Sequence, residues 1–398
     1  MKTKKIISAI LIIYTVIFSA CNIQKISIEG EKKDNYNHVV QTAQLQLTQQ
    51  VKIIKDSGKL LFPWTAYNGQ IIYTPETGWT SGFFPGTLIY MYELSGDKKW
   101  LDYGVEFSEA LDTIKYLTRH HDIGFIINSS FGNVLEHIDN NVYKGVIIQA
   151  AKSLSTRYRD VPGIIQSWNA NKQWRCPVII DNMMNLELMF KATVFSGDSS
   201  FHKMAVSHAD VTLKNHFRKD GSCYHVIDYD MKNGNVLNRH TAQGYAHESA
   251  WARGQAWALY GYTICYRFTK DKRYLDQADK IYQFIFTHKN LPTDLIPYWD
   301  FDAPQIPNEP RDASSAAIIA SALYELTTFG KRDYKKTADK IMLSLSSPAY
   351  LAIVGTNGNF LLKHSVGSIP HGREIDTPLN YADYYFLEAL IRKVNLEK

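Results

Sequence analysis

The sequence predicts an all-α protein built from about six stacked helical hairpins. A pattern of helix, short polar turn and second helix recurs at intervals of roughly 60 residues. Signals for β-strands are short and few, and no shift in composition divides the 398-residue chain into two domains. Stacked hairpins form either an open solenoid or a closed toroid of inner and outer helices, and the repeat alone fits both.

The helices of this pattern are delimited by their turns, which combine a helix C-cap with the acidic N-cap of the next helix. The first helices are predicted over 79–94, 182–195, 251–268 and 314–329, and the second helices begin near Trp100, Phe201, Tyr274 and Tyr334. Residues 143–158 and 381–394 are predicted as further helices. Short strands are predicted at 222–227 and 359–362, and a long loop at 297–310.

The N-terminus has the features of a bacterial export signal. Lysines precede an apolar run over 6–18, which is followed by Ser19, Ala20 and Cys21. The run is too short for a membrane span, and a cysteine after small residues resembles a lipobox. We expect a lipoprotein signal peptide over 1–20, a lipidated Cys21, a polar tether over 21–37 and one domain over 38–398. The mature protein would lie in the periplasm, anchored to the outer membrane. Ordinary signal cleavage, without lipidation, is the alternative.

Composition limits the classes of partner. The net charge is +5 and no basic tract appears beyond the N-terminus, so nucleic-acid binding is unsupported. The 25 Tyr and 8 Trp residues favour a site for polyhydroxylated ligands, although aromatic residues also fill helical cores. Cys176, Cys223 and Cys265 match no zinc spacing, so we interpret them as small buried hydrophobes.

One predicted helix combines residue types that suit an anionic sugar. Arg253 and Trp257 are four residues apart and therefore share a helical face, and Gln243 lies shortly upstream. An indole covers an apolar ring face, and a guanidinium pairs with a carboxylate. The alternative is an ordinary core helix with a paired arginine.

Two aspartates have apolar neighbours in the sequence. Asp122 is predicted to lie between a helix and an apolar turn, and Asp181 between an apolar run and a helix. Burial of such a carboxyl raises its pKa towards a general-acid role. Asp181 is also placed to cap a helix, where the helix dipole opposes that rise, and Asp122 could equally cap a turn.

Other chemistries find little support. His120, His121 and Asp122 are adjacent residues, which rarely reach one ion together, and no further spaced ligands are evident. Calcium at Asp228, Asp230, Asp300 or Asp302 lacks an EF-hand pattern. Phosphate-loop, dinucleotide and serine-nucleophile motifs are absent from the sequence. We therefore expect neither a metal nor a cofactor.

Several blocks, in this order, resemble the unsaturated glucuronyl hydrolases of glycoside hydrolase family 88. They are WTSGFFPG at 79–86, HDIGF at 121–125, IDNMMN at 180–185, the stretch 249–263, IPYWDFDAP at 296–304, HSVG at 364–367 and YADYY at 381–385. The resemblance implies an (α/α)6 barrel. It also implies hydration of the C4=C5 bond that polysaccharide lyases leave in a terminal uronic acid.

The resemblance also assigns roles to residues. Asp181 would be the general acid and then the base that activates water, and Asp122 the second required carboxylate. Substrate-binding roles would fall on His121, Trp168, His225, Gln243, Arg253 and Trp257. Ser365 and Ser368 match part of the Ser-x-x-Ser-x-Lys loop of members that favour sulfated substrates. Pro370 replaces the lysine here, so the preference for sulfation stays open, with His371 and Arg373 as possible substitutes for its charge.

Three alternatives remain. An unsaturated rhamnogalacturonyl hydrolase would share the fold and chemistry but act on pectin fragments. A non-catalytic glycan-binding lipoprotein would explain the aromatic residues and the lipobox without requiring two carboxylates. A structural solenoid is the third. We expect the substrates to be unsaturated uronic-acid oligosaccharides, in particular glycosaminoglycan disaccharides. Membrane contact is expected through the lipid anchor only.

Overall fold

The computed structural model describes residues 36–330 and 332–398. The predicted signal peptide over 1–20, the lipidation site Cys21 and most of the tether lie outside the described residues. Positions 36 and 37 were expected in the tether, but they already belong to a helix over 36–56. Residues 36 and 37 are therefore part of the described helical domain and not of the tether.

Within the described residues, α-helices form two concentric rings. The outer helices are α1 over 36–56, α3 (Lys98–Glu109), α5 (Asn141–Ser155), α7 (Ser199–Asn215), α9 (Lys272–Thr287) and α11 (Tyr334–Leu345). The inner helices are α2 (Phe83–Ser95), α4 (Ile123–Ile127, continued by a π-helical turn Asn128–Gly132), α6 (Asn182–Ser196), α8 (Ala252–Thr269), α10 (Ala313–Phe329) and α12 (Asn380–Glu397).

Burial patterns explain which helices are inside. In α10 every residue from Ala313 to Leu326 is buried, as expected for a helix surrounded by others. Helix α9 instead buries Tyr274, Ala278, Ile281 and Ile285, which form one stripe at helical spacing. Helix α12 packs against both α10 and α2, so the inner ring is closed. The predicted (α/α)6 barrel is confirmed, and the open solenoid is excluded.

The turns between hairpins are capped as the sequence predicted. Gly96 and Gly197 end α2 and α6 with φ of 72° and 74°, a left-handed backbone that glycine adopts without steric cost. Asp97 and Asp198 follow them and accept hydrogen bonds from backbone N–H groups at the starts of α3 and α7. These local signals account for helix bounds that agree with the prediction to within a few residues.

Short antiparallel strands occupy the loops. They are β1 (Phe62–Tyr67) with β2 (Gln70–Thr74), β3 (Tyr158–Arg159) with β4 (Ile164–Ile165), β5 (Pro177–Ile179) with β6 (Val226–Tyr229) and β7 (Val236–His240), and β8 (Ser365–Ser368) with β9 (Arg373–Thr377). The predicted strand at 222–227 is displaced, since β6 begins at Val226. The one at 359–362 is wrong, since Leu362 forms only an isolated bridge to Leu351.

An ionic network lies at the C-terminal ends of the inner helices. Arg267 of α8 donates to Glu187 of α6 and to Glu325 of α10, each at 2.6 Å, and Arg392 of α12 lies 3.0 Å from Glu325. Tyr36, the first residue of α1, lies at the same end of the barrel, beside Glu397 and Lys398 at the end of α12. The network ties four inner helices together at the end where the chain enters and leaves the domain.

Two further findings concern the described residues. The three cysteines at 176, 223 and 265 are free and buried, which confirms their interpretation as small core residues. Every described helix is too short or too polar to cross a membrane.

Candidate active site

The N-terminal ends of the inner helices meet at the other end of the barrel, here called the mouth. A cavity of about 560 Å³ opens there. Its lining includes the tryptophans Trp64, Trp79, Trp168 and Trp174, together with Gln173, His225, Thr241, Ala242, Gln243, Arg253, Gly367, Ser368, His371, Arg373, Glu374 and Tyr381. Helix N-termini carry partial positive charge, so a mouth built from them favours an anionic ligand.

Asp181 is the residue before α6 and is buried beside this cavity. It occupies the N-cap position, yet its side chain makes no capping hydrogen bond. Its Oδ2 atom is buried and has no hydrogen-bond partner among the described residues. Burial raises the pKa of Asp181 to about 7; the charge of Asp122 adds to this rise and that of Arg253 opposes it. Burial thus raises the pKa as the sequence predicted, and Asp181 does not cap α6 with its side chain. The role of general acid stays a prediction.

The pKa of Asp122 is shifted in the opposite direction to that of Asp181. Its carboxylate lies 3.2 Å from His121 Nε2 and 3.1 Å from His120 Nδ1. Burial alone would raise the pKa of Asp122, but the two histidines, together with Arg157, hold it below its usual value. Two neighbouring carboxyls with divergent pKa values suit one acid and one fixed anion. Asp122 directly precedes α4, where the sequence predicted an apolar turn.

His225 lies beside Asp181 as a neutral donor. Its Nδ1 accepts hydrogen bonds from the backbone N–H groups of Ala242 and Gln243, at 3.1 and 3.2 Å, which places the proton on Nε2. Burial lowers the pKa of His225 to about 3. Nε2 lies 3.7 Å from Asp181 Oδ2, beyond hydrogen-bond range. Both atoms are therefore available to bind the same oxygen of a ligand.

Arg253 is held by the loop that follows α11. It donates to the carbonyl oxygens of Val366 and, at 2.7 Å, of Gly367, and it lies 3.6 Å from Asp312. The guanidinium also lies over the ring of Trp251, 4.6 Å from its centroid. Arg253 reaches the cavity, but its donors mainly position the residues around Gly367. Direct contact with a substrate carboxylate stays a prediction.

Trp257 is one turn further along α8 and is fully buried. Its ring packs against Phe125, with centroids 5.1 Å apart, and against Tyr385. Helical spacing places Arg253 and Trp257 on one face, as predicted, but Trp257 is not among the residues that line the cavity. A stacking role for Trp257 on the substrate stays a prediction, and its observed contacts are those of a core residue.

The remaining predicted binding residues divide between the cavity wall and the layer behind it. Trp168 packs edge-on against Trp174, and Gln243 donates to Gly367 O at 3.3 Å. The hydroxyl of Ser368 lies 2.7 Å from His371 Nδ1. Behind the wall, His121 supports Asp122, and Ser365 is fully buried with a hydroxyl that has no partner among the described residues.

Several cavity residues were not among the predicted binding residues. Trp64 comes from β1, Trp174 from the loop before β5, Glu374 from β9 and Tyr381 from α12. The high aromatic content was the available signal for the first, second and fourth. For Glu374 the sequence offers none, because its position depends on the pairing of β8 with β9.

The aspartates considered for calcium have other roles. Asp228 accepts from the backbone N–H of Cys176 at 2.7 Å, and Asp300 accepts from Tyr245 N–H and the Ser249 hydroxyl at 2.9 and 2.7 Å. They thereby fix loops around the mouth. Over 36–330 and 332–398, no three His, Cys, Asp or Glu side chains are arranged to hold a metal ion.

The model of Glycosyl Hydrolase Family 88 matches residues 63–392. The chain belongs to this family. A family 88 relative from Formosa agariphila, named unsaturated glucuronyl hydrolase, is 51% identical over 325 residues, which are 81% of each chain. An unsaturated chondroitin disaccharide hydrolase of Streptococcus pyogenes is 33% identical and covers 86% of this chain and 88% of its own. Membership confirms the resemblance identified in the sequence.

A solved family 88 structure supports the same conclusion for the fold. It is described as an unsaturated glucuronyl hydrolase specific for heparin, and it is 46% identical with a TM-score of 0.88. The match covers 92% of this chain and 98% of the other. The chain is thus a glycoside hydrolase of family 88 along nearly its whole described length.

Arg253→Lys is expected to loosen the loop at the mouth. A lysine carries one compact ammonium and does not reproduce the fork that binds the carbonyls of Val366 and Gly367 together. We expect the free energy of unfolding to fall by about 1.5–3 kcal/mol and KM to rise, as measured by chemical denaturation and initial rates. Lys393→Arg on α12, outside the mouth, is the matched control. Unchanged stability and KM in Arg253→Lys would contradict this role.

Proposed function

We propose that this protein is an unsaturated glucuronyl hydrolase. It removes the 4,5-unsaturated uronic acid from the non-reducing end of oligosaccharides that polysaccharide lyases generate. The observation that carries the proposal is the pair Asp181 and Asp122, whose pKa values diverge beside an aromatic-lined cavity. The names of the family 88 relatives support the same activity.

The proposed reaction adds water across the C4=C5 vinyl ether. Protonated Asp181 gives its proton to C4, and the resulting Asp181 carboxylate takes a proton from the water that attacks C5. The product is a hemiketal, which opens to an α-keto acid and releases the shortened saccharide. Asp122 stays ionised and orients water or substrate hydroxyls, and His225 Nε2–H donates to a substrate oxygen. The separation of the carboxyls does not predict a stereochemical outcome, because the anomeric carbon is not attacked.

We propose glycosaminoglycan disaccharides as the substrate class. One solved structure is described as specific for heparin, and one relative is named for chondroitin disaccharides. Pectin fragments are the alternative, as for an unsaturated rhamnogalacturonyl hydrolase. The two classes differ in the sugar that follows the unsaturated residue, and a panel of purified substrates separates them.

The test is to incubate the protein with lyase-made disaccharides from heparin, chondroitin, hyaluronan and pectin and to follow the ultraviolet absorbance of the conjugated C4=C5 bond. Loss of absorbance with glycosaminoglycan products supports the proposal. Loss with pectin products alone would overturn the substrate class. Binding of a disaccharide without loss of absorbance would overturn the proposed hydrolase activity and favour a non-catalytic glycan-binding protein.

The dependence of the reaction rate on pH should follow the ionisation of Asp181. Its pKa is raised to about 7, so the proton needed by C4 is present below that pH and is lost as the pH rises through it. We expect kcat to fall about tenfold per pH unit well above pH 7. Initial rates measured between pH 5 and 9, in a series of buffers at one ionic strength, test for this fall in kcat. A flat profile up to pH 9 would exclude Asp181 as the acid.

We further propose that the protein is an exported lipoprotein, held on the periplasmic side of the outer membrane by lipid on Cys21. The lipobox-like sequence before Cys21 supports this. Expression with a radiolabelled fatty acid should label the wild type but not Cys21→Ser. Cys176→Ser serves as the control, since that thiol is buried. Equal labelling of wild type and Cys21→Ser, or none in either, would contradict lipidation at Cys21.

A further inference from the structure

Glu374 is a carboxylate of the cavity that the proposed chemistry does not use. It lies on β9, lines the cavity and is largely buried. Neither of its side-chain oxygens accepts a hydrogen bond from any residue that the structure describes. Neither oxygen is among the described side-chain atoms that are both buried and without a partner, so the carboxylate is open to the cavity. A ligand that donates hydrogen bonds would supply the partners that the described residues do not.

The backbone conformation at residue 374 and the neighbouring residues fix the position of this side chain. Glu374 has φ of 46°, a left-handed conformation that is costly for a residue with a Cβ. Its own N–H donates to the hydroxyl of Tyr67 at 3.1 Å, which fixes β9 against the β1–β2 hairpin. Gly367 lies directly beneath the carboxylate, because a methyl group on Gly367 would lie 2.2 Å from Glu374 Oε2. The missing Cβ of Gly367 therefore makes room for the carboxylate.

The nearby cations do not neutralise it by direct contact. Arg253 is occupied by the carbonyls of Val366 and Gly367, and Arg373 extends to the exposed rim without a hydrogen bond to Glu374 in the described chain. Burial raises the pKa of Glu374, and the charges of Arg253 and Arg373 oppose this. His371, between the two strands of this hairpin, pairs with Ser368, and Asp376 on β9 pairs with His364.

We infer that Glu374 determines specificity: it accepts hydrogen bonds from hydroxyl or amino groups of the sugar that follows the unsaturated uronic acid, and it disfavours a sulfate on that sugar. The uronate end is anionic and would be repelled, so the neutral or amine-bearing sugar is the part that faces Glu374. Sulfate replaces a hydrogen-bond donor by an anion, which removes the attraction and adds repulsion. This inference rests on the proposed function.

The experiment compares kcat/KM for disaccharides that carry the unsaturated uronic acid on glucosamine. The glucosamine is free at its amine, N-acetylated, N-sulfated or 6-O-sulfated. We expect the wild type to favour an unsulfated form over the best sulfated one by about tenfold or more. Glu374→Gln keeps the shape and removes the charge, so it should shrink that ratio by about tenfold. Glu136→Gln, at the opposite end of the barrel, is the matched control and should keep the wild-type ratio.

The outcomes separate the two proposals. A wild type that cleaves neither these disaccharides nor those of chondroitin and hyaluronan overturns the proposed function itself. If it cleaves only the chondroitin disaccharides, the same comparison is made with their unsulfated and sulfated forms. A wild type that cleaves them, with the same sulfation ratio in Glu374→Gln, overturns the role of Glu374. A change confined to one sulfated form supports the role and identifies the position it faces. Glu374→Asn, which tolerates the left-handed backbone, gives an independent reading if thermal unfolding shows that the Gln variant is poorly folded.

Discussion

Asp181→Asn is expected to lower kcat on unsaturated disaccharides by at least about 10²–10⁴-fold. Asparagine has the shape of the carboxyl but has no acidic proton to transfer to C4, and it does not take one from water afterwards. Initial rates under saturating substrate measure the loss. Asp276→Asn on the exposed surface of α9 is the matched control and should retain full activity. Near-normal turnover of a folded Asp181→Asn protein would remove the central residue of the proposed mechanism.

The same variant has a signature in stability that a merely damaged protein would not give. The pKa of Asp181 is about 7 in the folded state, against 3.8 ordinarily, so ionisation costs the folded state free energy. That cost is absent below about pH 4, grows between pH 4 and 7, and is complete above pH 7. The stability of Asp181→Asn relative to the wild type should therefore rise over this window and then level off. Denaturant titrations at pH 4, 5.5, 7 and 8 measure it.

Asp122→Asn is expected to lower kcat by about 10²-fold or more. It should also shift the pH at which kcat begins to decline, here called the high-pH limb of the rate profile. The anion at 122 raises the pKa of Asp181, so its removal should let Asp181 ionise at lower pH. The high-pH limb should consequently shift downwards relative to the wild type. A structural defect alone would lower the rate at every pH without this shift.

A matched variant tests that distinction. Asp112→Asn removes a charge from the 3₁₀ helix Asp112–Tyr116, where the carboxylate pairs with Lys115 at 2.7 Å. It should leave both the rate and the pH limb unchanged. If Asp122→Asn loses activity but its limb coincides with that of the wild type, the electrostatic coupling between the two aspartates is wrong.

Local chemistry explains why so much of the barrel was predictable. Gly96 and Gly197 end helices, and Asp97 and Asp198 begin the next ones, so these bounds depend on neighbouring residues alone. Helix α4 escaped prediction because it is short and continues as a π-helical turn, which leaves no regular periodicity. The residues after Asp122 were consequently expected to form a turn and not a helix, although the apolar context of Asp122 had identified it as a candidate.

The parts that could not be predicted depend on contacts distant in sequence. Arg253 was expected to face substrate, but its hydrogen bonds go to Val366 and Gly367, more than 100 residues away. Spacing placed Trp257 on the same face but could not give its depth below the cavity. Only the pairing of β8 with β9 brings Glu374 over Gly367, and no local pattern encodes that register.

The position of Tyr36 gives the barrel a direction. Tyr36 lies with Glu397 and Lys398 at the end of the barrel opposite the mouth. A lipid on Cys21, as proposed above, would therefore be joined to the described domain at its base, on the side away from the cavity.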